Sequence, residues 1–411
     1  MVPWLLLFLL VSMLFPVHVT LADDALVLPQ GRWRIAVDAR FSLPITKRFT
    51  SHGGTQDLAA DFNREINSTT FPDLRLVEAA LRLPAGSATF GRSVVDFERH
   101  IQITTFQAAY GLTDRLSLGV HIPYWTQDVR VKAALDNRTA TVGFNPAVPG
   151  GVAPLTVPGT RPPTTEDIQQ ILQRQGFRRL QSWSDASFSD SFGGLKYQYY
   201  RSEHWRLAAT GNVRFPTGRW DDPNNLVDYP TGYAAWGFGL QVHQDVVWQH
   251  PGLASRLRAL TTGDVVFNTT FGFEAFLPDE KPFRVCDIHQ PLCPNLDRHV
   301  QRHVGALVEA EVTGSVGLLP GLALTPMYIY AHKFPDQFHG HLGFNYRLLR
   351  AETDADSHSL DLRLGYNTAL LVAAQRFPVP VSLSLRYVER LASTNNRLYT
   401  RYLGVILTGV F

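Results

Sequence analysis

Hydrophobic and polar residues alternate with period two along much of this chain. From Arg32 to Ser42 the sequence RWRIAVDARFS sets Trp33, Ile35, Val37, Ala39 and Phe41 on one face and Arg34, Ala36, Asp38 and Arg40 on the other, as in a strand whose two faces meet different surroundings. Leu116, Leu118, Val120, Ile122 and Tyr124 alternate in the same way with Ser117, Gly119 and His121. Trp205, Leu207, Ala209, Val213 and Phe215 oppose Arg206, Thr210, Asn212 and Arg214, while Trp236, Phe238, Leu240 and Val242 oppose Gly237, Gly239, Gln241, His243 and Asp245. Late in the chain Leu360, Leu362, Leu364 and Tyr366 oppose Asp361 and Arg363, and Leu383, Leu385 and Tyr387 oppose Ser382, Ser384 and Arg386. With less regular runs at 98–110, 191–200, 256–273, 304–316, 321–331 and 398–411, the pattern predicts about twelve strands; a further pair at 73–83 and 88–97 would make about fourteen.

The connections alternate in length. Short ones fall at Gly111–Asp114, Arg201–His204, Leu319–Gly321 and near Arg376–Val379, and long ones at 43–97, 126–190, 217–233, 274–302, 332–356 and 389–397. A transmembrane up-and-down barrel has this rhythm, with short periplasmic turns and long extracellular loops, whereas a soluble sandwich does not require it. Aromatics gather near strand ends at Trp33, Tyr110, Trp125, Trp205, Phe215, Trp236, Tyr328, Tyr330, Tyr387 and Phe411, where interfacial girdles would lie.

The polar face fixes which side meets lipid. In this register it carries Arg34, Arg40, Lys196, Arg206, Arg214, Arg258, Arg363 and Arg386 together with Asp38, Asp245, Asp264, Glu309, Glu311 and Asp361, and with His121 and His243. Each Arg or Lys turned toward the bilayer midplane would cost ~2–4 kcal/mol, so the set is assigned to the lumen. There the charges either brace the barrel by pairing with one another or line a path for solutes. The fold expected is therefore all-β, an antiparallel outer-membrane β-barrel of about twelve strands.

Composition narrows the function. The 411 residues carry 38 Lys+Arg and 36 Asp+Glu, a net charge of +2, which offers no special attraction for nucleic acid. At the N-terminus an apolar run from Trp4 to Phe15 precedes Thr20-Leu21-Ala22; residues 1–22 read as a signal peptide cleaved after Ala22, and 23–411 as the exported barrel. After residue 22 no apolar run approaches membrane-helix length.

The residues also resemble a known family. YGLTDRLSLGVHIPYW (Tyr110–Trp125) is similar to a turn and strand of Gram-negative outer-membrane channel proteins associated with the meta-cleavage pathway of phenol degradation. FGGLKYQYYRSEHWRLAATGNVRFPTG (Phe192–Gly218) resembles that family's next hairpin, and the resemblance spans roughly 110–250 and the final strand, about 150 residues. It implies a transporter or porin that passes small, hydrophobic or aromatic solutes passively. The ending Leu403, Val405, Leu407, Gly409, Phe411 resembles the C-terminal signal read by the barrel assembly machinery, which makes that machinery and outer-membrane lipid expected partners.

Other features read more plainly. Thr164 and Asp167 form a capping box for a short helix near 164–175 within the loop 126–187, with Ile168, Ile171 and Leu172 as its apolar stripe. Such a helix either covers the barrel mouth or folds into the pore. Cys286 and Cys293, in an oxidising compartment, are expected to pair as a disulfide, the alternative being a zinc site with neighbouring histidines. Asp221, Asp222, Asn224, Asn225 and Asp228 crowd one loop, as a solvated turn or a cation site. His100, His121, His204 and His243 could serve a hydrolase, but no G-x-S-x-G motif accompanies them. The expectation is a channel rather than an enzyme, with no cofactor; a docking barrel is the other alternative.

Overall fold

The chain is described by a computed structural model covering residues 24–71, 73–248, 265–285 and 295–411. Residues 1–22, Arg258, Asp264, Cys286 and Cys293 lie outside the described residues, so the expectations for them are left where the sequence put them.

The alternating segments fold as strands, numbered in chain order. Twelve of them form the wall: β1 (Trp33–Ser42), β5 (Thr89–Thr113), β6 (Leu116–Asp136), β10 (Ser191–Arg201), β11 (Trp205–Phe215), β12 (Gly237–Trp248), β13 (Val265–Phe276), β16 (Leu307–Leu319), β17 (Leu322–Lys333), β19 (Ala355–Asn367), β20 (Val381–Ser393) and β21 (Arg401–Val410). Each is antiparallel to the next, and β1 pairs with both β5 and β21, from Arg34↔Val410 to Ser42↔Tyr402. The sheet closes on itself, so no edge is left to satisfy in lipid. The closing seam is completed by Trp33 N donating to Phe411 O (3.1 Å) and Phe411 N to Trp33 O (2.9 Å).

Sidedness follows the sequence pattern. Ile35, Phe238, Leu240, Phe271, Leu385 and Leu407 each expose between 50% and 58% of their surface, an apolar band that only lipid covers at low cost. Asp38, His121, His243, Asp245, Glu311 and Asp361 point inward and are at most 3% exposed.

Two extra strands join the sheet without entering the barrel: β4 (Glu65–Asn67) on β5 and β9 (Trp183–Phe188) on β6. The fourteen-strand alternative fails at 73–83, because Leu74–Leu81 is a helix, α1. Leu74 and Glu78 are buried while Leu76 is 73% exposed, a helical spacing that Leu-Arg-Leu had mimicked with period two. Residues 89–97 belong to β5, and β6 runs on to Asp136. These two strands of 25 and 21 residues far exceed the roughly 9–11 residues needed to span a bilayer, so their hairpin extends well past it.

The extended hairpin is the scaffold for an extracellular layer. It carries the small pairs β2 (Lys47–Phe49) with β3 (Thr55–Asp57) and β7 (Val142–Phe144) with β8 (Val152–Pro154), and the helix α2 (Thr165–Arg174). A separate sheet, β14 (Asp279–Arg284), β15 (Leu296–His303) and β18 (Gln337–His339), rises from other loops. In α2 both arms of the capping box form: Asp167 N donates to Thr164 Oγ1 (3.3 Å) and Thr164 N to Asp167 Oδ2 (2.8 Å). Leu135 N donates to Thr165 Oγ1 (3.0 Å), which pins the helix over the tip of β6 rather than in the lumen. Two further differences concern boundaries. Trp125 packs inward on the mouth cluster instead of joining a girdle, and the connection 368–380 is longer than a tight turn.

Candidate functional site: a charged lumen closed at both ends

The inward face brings the predicted charges together as braces. Asp38 accepts from Arg40 Nε (3.0 Å) and Arg386 Nη1 (2.6 Å), and Asp361 accepts from Arg386 Nε (3.0 Å) and Arg363 Nη2 (2.9 Å). Arg386 reaches Asp38 across an intervening strand because Gly404 of β21 stands between Arg40 and Arg386 in the register. A Cβ on Gly404 would lie 2.8 Å from Ala39 O and 3.2 Å from Arg40 Cγ.

A second brace joins β11 and β13. Arg214 makes a two-pronged pair with Glu274 (Nε–Oε1 2.7 Å, Nη2–Oε2 2.6 Å), lies 3.6 Å from Asp190 and sits over the Phe192 ring. His243 bridges hydroxyls, with Thr210 Oγ1 2.8 Å from Nε2 and Thr270 Oγ1 3.0 Å from Nδ1. His121 packs edge-on against Phe192, and Glu309 and Glu311 line the wall from β16. Arg34 and Arg206 face the same interior, Arg206 lying 3.8 Å from Asp245. Arg363 lies at the same interior, on Asp361.

The central lumen retains a cavity of about 390 Å³, lined by Arg34, Asp38, Arg40, Arg206, Glu311 and Arg386 among others. Below it the lumen is occupied by the chain itself, in a segment the sequence reading did not single out. Residues Asp24–Gln30 run in from the rim beside β1. Ala25 is fully buried; its N donates to Asp245 Oδ1 (2.7 Å) and its carbonyl accepts from Gln198 Nε2 (2.7 Å). Lys196 Nζ donates to Asp24 O, Leu28 N to Ser117 Oγ (2.9 Å), and Gln30 N to Asp114 Oδ1 (3.1 Å). The strap passes so near β5 that a Cβ on Gly111 would lie 2.1 Å from Pro29 O.

The opposite end is closed by apolar packing. Ile45, Leu58, Phe97, Ile101, Val129, Val227 and Leu398 form one buried cluster across the mouth. The loop 216–236 enters it on polar tethers. Arg99 Nη2 donates to Val227 O (2.9 Å), Gln127 Nε2 to Tyr229 O (3.1 Å), and Asp190 accepts from the N–H groups of Gly218, Tyr233 and Ala234. Arg99, Gln127, Asp190 and Glu274 were missed, the first because only strand geometry shows what it reaches, the other three because they fell in segments read as loops.

The acidic cluster of that loop is a set of ties rather than a free turn. Asp228 accepts both Nη groups of Arg219 (2.6 and 2.8 Å), and Asp222 pairs with Arg178 (2.7 Å). Burial, with the Asp228 carboxylate beside it, pushes Asp221 up to about 7. Elsewhere in the extracellular layer the Arg161 guanidinium holds Asp167 well below the usual carboxylate range.

No known family profile matches the chain, and no curated protein matches it. Among solved structures it is similar to an outer-membrane channel from Pseudomonas putida F1, at 13% identity and a TM-score of 0.53 over 96% of this chain and 100% of that one. Weaker likenesses include the β domain of the Bordetella autotransporter BrkA (8% identity, TM-score 0.35, 93% and 99% covered) and the Pseudomonas putida toluene transporter TodX (9%, 0.32, 97% and 95%). The fold is that of an outer-membrane barrel.

Proposed function

We propose that the protein is a narrow, gated outer-membrane channel for passive passage of small solutes, hydrophobic or aromatic ones among them. The observation that carries this reading is a closed barrel whose central cavity is stopped at one end by a hydrogen-bonded strap and at the other by a tethered loop. A barrel serving only as an anchor needs no cavity between two separately held closures. Paired charges of both signs line that cavity, so strong selection for one ion sign is not expected.

The aromatic preference is the finer part of the reading. It rests on the resemblance of Tyr110–Trp125 and Phe192–Gly218 to the channel family of phenol meta-cleavage. That the similar Pseudomonas putida F1 protein is an outer-membrane channel supports transport. A conduit is also favoured over a hydrolase by the setting of His243, which braces two threonines on neighbouring strands. Assembly through the barrel machinery is proposed on the exposed terminal Phe411, aligned at the seam.

Planar-bilayer conductance of the refolded chain tests the reading. Small discrete steps that flicker when phenol is added to one side are the expected result. A correctly inserted barrel that stays electrically silent and leaves phenol flux into vesicles unchanged overturns it.

A further inference from the structure

Outside the lumen, the extracellular layer holds a second cavity of about 300 Å³. It lies between the hairpin β5–β6, the segment that carries β4, and α2. The charged Arg48, Asp61 and Arg64 line it, and Phe62, Ile66, Phe71, Ile168, Leu172 and Leu226 form its apolar wall. Several of these also belong to a buried cluster with Leu74, Phe90 and Phe177, which holds the walls in place from behind.

The polar groups around it are already committed. Gln169 spends both ends of its amide on the backbone of Leu180, donating to its O (3.1 Å) and accepting from its N (2.9 Å). Thr70 Oγ1 donates to Glu65 O (3.2 Å), Thr165 Oγ1 accepts from Leu135 N, and Arg48 pairs with Asp61 at the rim. Among the described residues, no polar atom lining this cavity is buried without a hydrogen-bond partner. Arg48 and Arg64 are both taken up with Asp61, so deep among the apolar side chains a charged occupant would lose its hydration with nothing to replace it, whereas an apolar one loses nothing. In size, a dry apolar cavity of ~150 Å³ already accepts benzene, and ligand sites begin at roughly 300 Å³.

We propose that this cavity is a binding site for an uncharged apolar molecule of one or two aromatic rings, held on the extracellular side of the barrel. Its role as a capture point before passage rests on the channel reading above, while the binding itself does not. Capture there would concentrate a sparingly soluble molecule against the mouth cluster, whose side chains Phe97 and Val129 continue the apolar surface toward the lumen.

The test follows fluorobenzene by ¹⁹F NMR with the full chain in lipid nanodiscs, using empty nanodiscs to measure partition into lipid. Saturable binding beyond the lipid control is expected for the native chain. Ala133→Phe, which places a ring in the cavity from β6, should weaken it at least ten-fold. Leu172→Ala, which enlarges the site, should shift preference toward a two-ring probe such as fluoronaphthalene. Uptake that only tracks empty nanodiscs, or equal binding by native and Ala133→Phe chains of matching β-sheet content, overturns the proposal. Saturable binding with no conductance would instead leave the site standing and remove the channel reading.

Discussion

Arg386 shows how one residue can decide the interior. Its guanidinium spans Asp38 and Asp361, two carboxylates on different strands, and is itself 9% exposed. Removing one partner of a buried ion pair costs about 3–5 kcal/mol, most of it from the charge left behind. Arg40 and Arg363 remain as second partners here, so Arg386→Met is expected at the lower end, about 3 kcal/mol. Urea unfolding of the barrel in vesicles, followed by tryptophan fluorescence, measures it. If the variant unfolds at the native midpoint, the network is not a structural brace and its charges are free to serve permeation.

At the scale of elements, the strap Asp24–Gln30 is the part held most by single hydrogen bonds and least by packing. Leu26 remains 40% exposed within the barrel, while Ala25, Leu28 and Gln30 are each tied through backbone groups. Displacing it should therefore be easier than opening the wall. Gly111→Ala drives a methyl group into Pro29 O, and Lys196→Met removes the grip on Asp24 O. Each is expected to raise single-channel conductance severalfold without altering the β-sheet spectrum; unchanged conductance in both would show that the strap does not limit flow.

The same scale shows what could be read in advance. Strand positions and their inward sets, such as Arg34–Asp38–Arg40 on β1, follow from alternation because a barrel wall separates two solvents and each residue has only two directions to face. The capping box of α2 was equally legible, since Thr164 and Asp167 interact over three residues of sequence. The strap was not legible, because its bonds join residues 220 positions apart, as from Ala25 to Asp245. The extracellular cavity was hidden for the same reason: Phe62, Leu172 and Leu226 meet only after three loops fold together. Helix α1 was misread because an eight-residue segment holds two turns, too few to separate the two periods.

For the whole molecule, the proposed channel would open when the mouth loop leaves its seat, and that seat contains a titratable group. Asp221 lies with the Asp222 and Asp228 carboxylates raising its pKa and the Arg219 and Arg99 guanidinium groups lowering it; burial prevails, and the group titrates near 7 instead of its ordinary 3.8. A hydrated Asp221, in an opened loop, would titrate near the ordinary value. Below pH 4 both states are protonated and closure has its full stability. Between pH 4 and 7 the seated loop holds a proton that the open loop has lost, so closure weakens steadily as pH rises, and above 7 it weakens no further. The open fraction in bilayer recordings should accordingly climb between pH 5 and 7 and level off by pH 8. Asp221→Asn, neutral throughout, should keep the loop seated at pH 8 as firmly as at pH 5. Native and variant channels with the same pH profile would place the control of opening elsewhere, with the strap at the other end of the lumen as the remaining closure.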